Sequence, residues 1–271
     1  MVWLNEEGPA LNEAIAGRSA EIVEQLQGLD ERELLGPSRL PTWSRLTIAC
    51  HLRYGAEALV RMTNDARAGE ATSYYPAGRA AQREATLSPG PGETPADVVD
   101  TLAAVNEQLY DAWSGLTPVD WPVPAREPAG NVDLGQMTLV RLALLRLSEV
   151  EVHGSDLGLG LDDWSELFVQ ASLPFRLDWL NNRRADHRAF EAGLEGSWLL
   201  TASDGPTYLV SVRDAEVASR PAYPTTPADA VISGTSRDLL SLLLGRSTPE
   251  AGQISGDVAF GERFSAAFPG P

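Results

Sequence analysis

The spacing of apolar residues over the first 160 positions is what most constrains how this chain can fold. In "ALNEAIAGRSAEIVEQLQGL" the residues Leu11, Ile15, Ile22, Val23 and Leu26 fall on one stripe, the pattern of an amphipathic helix. Ser44 or Thr42 can cap a second helix, "SRLTIACHLRYGAEALVRMTNDARAG", which runs to about Ala68 before Gly69 stops it. "TPADVVDTLAAVNEQLYDAWSGL" reads as a third, opened by Thr94 and Pro95 and closed near Gly115. The fourth is "QMTLVRLALLRLSEVEVHGSDLGLG". The segments between them carry loop signals, "SYYPAGR", "LSPGPGETP" and the Pro-rich "TPVDWPVPAREPAG". Helices of this length with such connections predict a four-helix bundle, whose sites are built from side chains on facing helices.

After Gly160 the pattern changes. "LDDWSELFVQASLPFRLDWLNNRRA" is one more helix, and "GSWLLTA", "TYLVSVR", "AEVASR" and "DAVISG" are short β-rich runs separated by turn residues. "TSRDLLSLLLGR" returns to helix. The predicted fold class is therefore mixed, α followed by α+β. A four-helix bundle occupies 1–160 and a smaller α+β domain 161–271, with no internal repeat or low-complexity tract.

Composition excludes several functions. Hydrophobic content of 43% and charged content of 22% suit a globular protein with a full core. A net charge of −17 argues against a phosphate-backbone ligand, which needs a basic face. All 21 basic residues are arginine, so neither a Schiff-base lysine nor a P-loop lysine is present. The single cysteine, Cys50, forms no internal disulfide, which makes a reducing compartment the default. The N-terminus has no apolar h-region and no run approaches membrane-spanning length, so the expected location is cytoplasmic and the expected partners include neither nucleic acid nor membrane.

The chemistry concentrates in "LSEVEVHGSD". Glu149 and His153 are four residues apart on a helix and point the same way, so they can give one divalent ion a carboxylate oxygen and an imidazole nitrogen. His51, inside the apolar second helix, is the natural third ligand, and three protein ligands leave a coordination position open for water or substrate. The plain alternative stays open. Glu149 and His153 also make an i,i+4 pair worth a few tenths of a kcal/mol, and His51 can be a core histidine bonded to a carbonyl.

Two stretches, "WSRLTIACH" from Trp43 to His51 and "RLSEVEVHGSD" from Arg146 to Asp156, resemble the mycothiol-dependent maleylpyruvate isomerase family, part of the DinB-like group of metal-binding four-helix proteins. The resemblance implies that His51, Glu149 and His153 bind a divalent ion, usually taken as zinc. It also implies that the back half, including "ISGTSRDLLSLLLGR", is the family's α+β C-terminal domain, with Arg246 or else Arg237 holding a substrate carboxylate. The implied reaction uses mycothiol as thiol cofactor. Thiolate adds to the cis double bond of maleylpyruvate, the new single bond rotates, and elimination gives fumarylpyruvate. A mycothiol S-transferase acting in detoxification or natural-product assembly shares the first step. A small-ligand-binding module with a vestigial metal site is the non-catalytic alternative.

Neighbouring residues carry further expectations. Asp156 can accept the second N–H of His153, or be a polar residue at a helix end. Glu151 belongs to a solvated face, and Arg146 pairs with Glu149. Cys50 is a buried small hydrophobe, and His187, in a charged run, is at the surface. The long connection 69–94, with Tyr74 and Tyr75, can shape a pocket.

Overall fold

Ser44 accepts a hydrogen bond from the Thr47 amide and opens the helix that carries the first histidine. Its φ is extended, whereas Thr42, the other candidate cap, sits at positive φ in the turn before it. In the computed structural model, which describes residues 7–128, 134–182, 194–214, 216–268 and 270, the long helices of the first half are α1 (Gly8–Gln27), α2 (Arg45–Ala68), α3 (Pro95–Ser114) and α4 (Leu139–Asp156). Gly69 ends α2 in the left-handed conformation, and Thr94 with Asp97 forms a capping box at the start of α3. Both boundaries agree with the sequence reading.

The bundle closes because each helix turns an apolar stripe inward. α1 packs on α3 and α4, and α2 packs on the same two. Leu11, Ile15, Ile22 and Leu26 of α1 are buried as expected, while Val23 is only half-buried at the edge of the stripe. Trp113 of α3 donates its indole N–H to Thr63 Oγ1 of α2 at 2.9 Å, so a buried polar pair is satisfied within the core.

Two expectations are corrected. Gln136–Thr138, read as the start of the fourth helix, forms strand β2 and pairs antiparallel with β1, Pro124–Arg126, inside the segment read as a Pro-rich link. Strands of three residues are too short for a period-2 pattern to show, and Pro124 occupies the first position, where its missing N–H does no harm. Glu151, assigned to solvent, is buried at 1% exposure. Arg18 of α1 donates to it from Nε at 2.9 Å and pairs through Nη2 at 2.7 Å, and the Ser165 hydroxyl also donates to it. The face opposite Glu149 meets α1 rather than water.

The chain divides into two units, Met1–Phe168 and Val169–Pro271. The division follows Phe168 rather than residue 160, because residues after α4 bond back to the bundle: Ser165 to Glu151, and Trp164 Nε1 to Ser155 Oγ at 2.8 Å. Helix α5 (Glu166–Asn182) carries the chain into the second unit. That unit holds a five-stranded sheet in the order β5-β4-β3-β6-β7, made of β3 (Gly196–Ala202), β4 (Thr207–Arg213), β5 (Glu216–Ala222), β6 (Ala230–Gly234) and β7 (Ile254–Gly256). Within the described residues of this sheet β3 and β6 pair parallel and the other neighbours antiparallel, and α6 (Ser236–Leu243) follows β6 from a Thr235–Asp238 capping box. Trp198 of β3 is fully buried and stacks on Phe260 at 4.3 Å. Among the described residues no helix is long and apolar enough to cross a membrane.

The Arg18–Glu151 pair gives a stability prediction. Glu151→Ala takes the buried carboxylate from Arg18 at the α1–α4 contact, leaving it the exposed Glu21, and should cost about 2–3 kcal/mol in urea unfolding. A loss below about 1 kcal/mol, the range of a solvated pair, would contradict the buried assignment.

Candidate metal centre

α2 and α4 bring together three side chains that lie 98 or more residues apart in sequence across the helix pair. His51 Nε2 is 2.7 Å from Glu149 Oε2, and His153 Nε2 is 3.5 Å from the same oxygen. One ligand atom from each of the three residues lies within 4.8 Å of the others. The two imidazoles meet edge to face with centroids 4.9 Å apart. Trp43, just before the cap of α2, stacks on His153 at 5.9 Å and meets His51 edge-on at 5.4 Å, so one indole backs both rings.

Hydrogen-bond partners fix where the protons sit. Asp156 Oδ2 lies 2.9 Å from His153 Nδ1, and a carboxylate only accepts, so Nδ1–H donates and Nε2 faces Glu149. Of the two readings of Asp156, the structure shows the imidazole contact. His51 is held the other way round. Arg83 Nη1 lies 3.2 Å from His51 Nδ1, and a guanidinium only donates, so Nδ1 accepts and the His51 proton sits on Nε2, donating to Glu149. Burial pushes the His51 pKa down, against the pull of Glu149. Burial also opposes charge on Glu149, but the imidazoles of His51 and His153 outweigh it and hold the carboxyl well below its usual range. For His153 burial again opposes charge, and the Asp156 and Glu149 carboxylates prevail, raising its pKa.

This donor set fits a divalent cation. Two imidazole nitrogens and a carboxylate oxygen suit zinc and several other ions of similar hardness. Asp156 orients one imidazole from behind, as metal-bound histidines usually require. Together Glu149 and Asp156 carry two negative charges, which a divalent ion balances. Neutral His153, its Nδ1–H held by Asp156, offers Nε2, and His51 offers it once its proton moves to Nδ1.

The other residues singled out in the sequence take distinct places. Arg146 does not pair with Glu149 by hydrogen bond. It is buried at 1% exposure and donates to the Leu52 carbonyl of α2 and to Asn106 Oδ1 of α3, both at 2.8 Å, tying three helices together. Burial pushes its pKa down to about 10, still charged at neutral pH. Gly55 makes room for this: a Cβ there would stand 3.2 Å from both Arg146 Nη1 and the Tyr74 hydroxyl. Cys50 is buried at 1% exposure, and burial pushes its thiol up to about 11. The connection 69–94 folds back over α2, with Tyr54 donating to the Tyr74 carbonyl at 2.8 Å and stacking on the buried Tyr75 at 5.3 Å. That connection delivers Arg83, which the sequence reading missed because a polar loop has no periodicity to place it. Arg237 and Arg246 belong to the second unit, where Arg237 lies in the first turn of α6 and Arg246 donates to the Leu244 carbonyl at 3.0 Å. His187 lies outside the described residues.

Residues 15–158 match the family described as mycothiol maleylpyruvate isomerase N-terminal domain. A crystal structure of the mycothiol-dependent maleylpyruvate isomerase superposes with a TM-score of 0.63 at 19% identity, covering 90% of each chain. A structure of that enzyme with a histidine-to-alanine substitution gives a TM-score of 0.64 at 20% identity, with the same coverage. These likenesses establish a shared fold across both units. No curated protein matches the chain.

The raised Cys50 pKa predicts its reactivity. The thiol stays protonated and inert to iodoacetamide at pH 8 in the folded protein, and reacts at once in denaturant. Rapid alkylation of the native protein, followed by mass spectrometry, would contradict the burial.

Proposed function

The chain belongs to the mycothiol maleylpyruvate isomerase family, and from that premise we propose that it is a metal-dependent enzyme that joins mycothiol to an electrophilic small molecule, with cis–trans isomerisation of the maleylpyruvate type as the outcome. The observation that carries this reading is the meeting of His51, Glu149 and His153, from two separate helices, within 4.8 Å. A divalent cation held by these three, zinc on the family resemblance, would supply Lewis acidity that favours the thiolate form of a thiol near neutral pH.

The side chains divide the remaining work. His51, Glu149 and His153 are the proposed ligands. Asp156 accepts the His153 Nδ1 proton and keeps Nε2 directed at the ligand cluster. Trp43 backs both rings and limits their rotation. Tyr74 and Tyr75 anchor the 69–94 connection to α2. On the second unit Arg246, with Arg237 as the other candidate, is the proposed partner of a substrate carboxylate, since a guanidinium offers paired donors to a planar anion. In the proposed reaction, sulfur adds to one carbon of the activated double bond and a proton to the other. Rotation about the resulting single bond and loss of the same thiol restore the alkene as its trans isomer, so the thiol is regenerated and no oxidant is needed.

The test combines elemental analysis with product analysis. Purified protein should contain about one equivalent of divalent metal, and with mycothiol and maleylpyruvate it should give the trans isomer with the thiol returned. A stable thioether product would assign an S-transferase instead, and metal without thiol turnover would assign a binding module. His51→Ala should abolish metal retention and activity while circular dichroism stays near wild type. Extensive unfolding, together with a metal-free wild type, would make His51 structural. Asp156→Asn should weaken metal affinity by roughly 10–100-fold, the usual cost of losing the carboxylate behind a ligating histidine, read by competition with a chromogenic chelator.

A further inference from the structure

Among the arginines of the first unit, Arg45, Arg61 and Arg146 donate to backbone carbonyls, whereas Arg18, Arg39 and Arg53 each hold a carboxylate, those of Glu151, Asp162 and Glu93. Arg83, in a chain with 38 acidic residues, has none within ion-pair distance among the described residues. Its Nη1 donates to His51 Nδ1 at 3.2 Å and to the Tyr75 hydroxyl at 3.4 Å, and its guanidinium lies over the Trp43 ring at 5.8 Å. A second cation, Arg79, lies one helical turn earlier over the Tyr75 ring at 5.7 Å. Two aromatic side chains therefore position a guanidinium beside the ligand cluster while its charge stays unmatched. Such a group is preorganised for an anion, since little ordering remains when one arrives.

We propose that Arg83 is a specificity-determining residue that binds a carboxylate of the electrophilic substrate, an inference that rests on the thiol-addition reading given above. A double bond accepts a thiolate when a conjugated electron-withdrawing group such as a carbonyl activates it, and in a maleylpyruvate-type electrophile a carboxylate lies close to the reacting carbons. Arg83 touches the imidazole nitrogen across the ring from Nε2, which places a bound carboxylate within one small-molecule length of the ligand atoms. The surrounding chain, at net charge −17, repels anions at long range, so local unmatched cations are what make a carboxylate substrate acceptable. The present contact to His51 also gives way readily. When Nε2 serves a cation, Nδ1 of a neutral imidazole must carry the proton, and it then confronts the guanidinium with a donor instead of an acceptor.

The experiment compares cis-acetylacrylate with its methyl ester as electrophiles for mycothiol, using wild type, Arg83→Gln and Arg83→Lys loaded with zinc and checked for equal metal content. Wild type should prefer the acid. Arg83→Gln should raise KM for the acid by about tenfold or more relative to its effect on the ester, the scale of one charge-assisted hydrogen-bonded pair, while Arg83→Lys recovers part of the preference. An acid-to-ester ratio that Arg83→Gln leaves unchanged overturns the proposal. Calorimetric titration with succinate, which cannot react, is read independently of turnover. Binding by wild type that Arg83→Gln loses supports the assignment, and equal binding or none in wild type overturns it. If wild type converts neither electrophile, the thiol-addition reading falls, and the succinate titration still decides the role of Arg83.

Discussion

One oxygen atom, Glu149 Oε2, joins α2 to α4 at the centre of the first unit, and most of the surrounding arrangement follows from it. It receives His51 at 2.7 Å from one helix and faces His153 at 3.5 Å on its own. The Glu149 side chain is 33% exposed, and a carboxylate drawn partly out of water needs partners that replace the hydration it loses. Here the partners are two imidazoles, and their effect exceeds that of burial, since the carboxyl is held in its ionised form. The rings in turn need orientation, and Asp156, Trp43 and Arg83 supply it from three directions. The result is a cluster of two carboxylates and two imidazoles whose donor set fits a divalent ion.

α4 carries charged residues at 146, 149 and 151, and the bundle uses each differently. Arg146 reaches the Leu52 carbonyl and Asn106, Glu149 meets His51, and Glu151 takes Arg18. Contacts therefore leave α4 toward α2, α3 and α1. Apolar packing tolerates a helix that slides or rotates by a fraction of a turn, whereas buried hydrogen bonds to charged groups do not. An error of one residue in the setting of α4 would strand several buried charges at once, and this fixes the 149/153 pair opposite His51. Gly55 belongs to the same arrangement, because the space a side chain would fill is occupied by Arg146 and the Tyr74 hydroxyl.

The parts of this structure governed by local chemistry were legible in the sequence. Ser44, Thr94 and Gly69 mark helix ends because capping depends on a few adjacent residues, and Glu149 with His153 share a face because helical geometry requires it. That His51 stands opposite them could be expected only from the family resemblance and from its place in an apolar helix. What remained hidden depends on neighbours distant in sequence. Glu151 looked solvent-facing because its own helix cannot tell that α1 covers that side. Arg83 lies in a polar connection, where position is set by Tyr75 and Trp43 rather than by any period. The β1–β2 pair is three residues long on each side, below the length at which alternation becomes a signal.

The two histidines enter the site in different protonation patterns, and this asymmetry has a consequence for how its occupants affect each other. His153 in its neutral form presents Nε2 to the cluster with its proton on the Asp156 side, so cation binding there displaces only the second proton that the Glu149 carboxylate favours. His51 is fixed in the opposite tautomer by Arg83 from outside and Glu149 from inside. To ligate, it must shift a proton across its ring and part from the guanidinium. Anything that draws Arg83 away from His51 Nδ1 favours the ligating tautomer, and a cation on Nε2 equally drives Arg83 away. Such effects are reciprocal by thermodynamic necessity. On the proposed reading, a carboxylate held by Arg83 and a cation held by His51 therefore strengthen one another's binding through a single imidazole, so the site is fully formed only when cation and substrate are both in place.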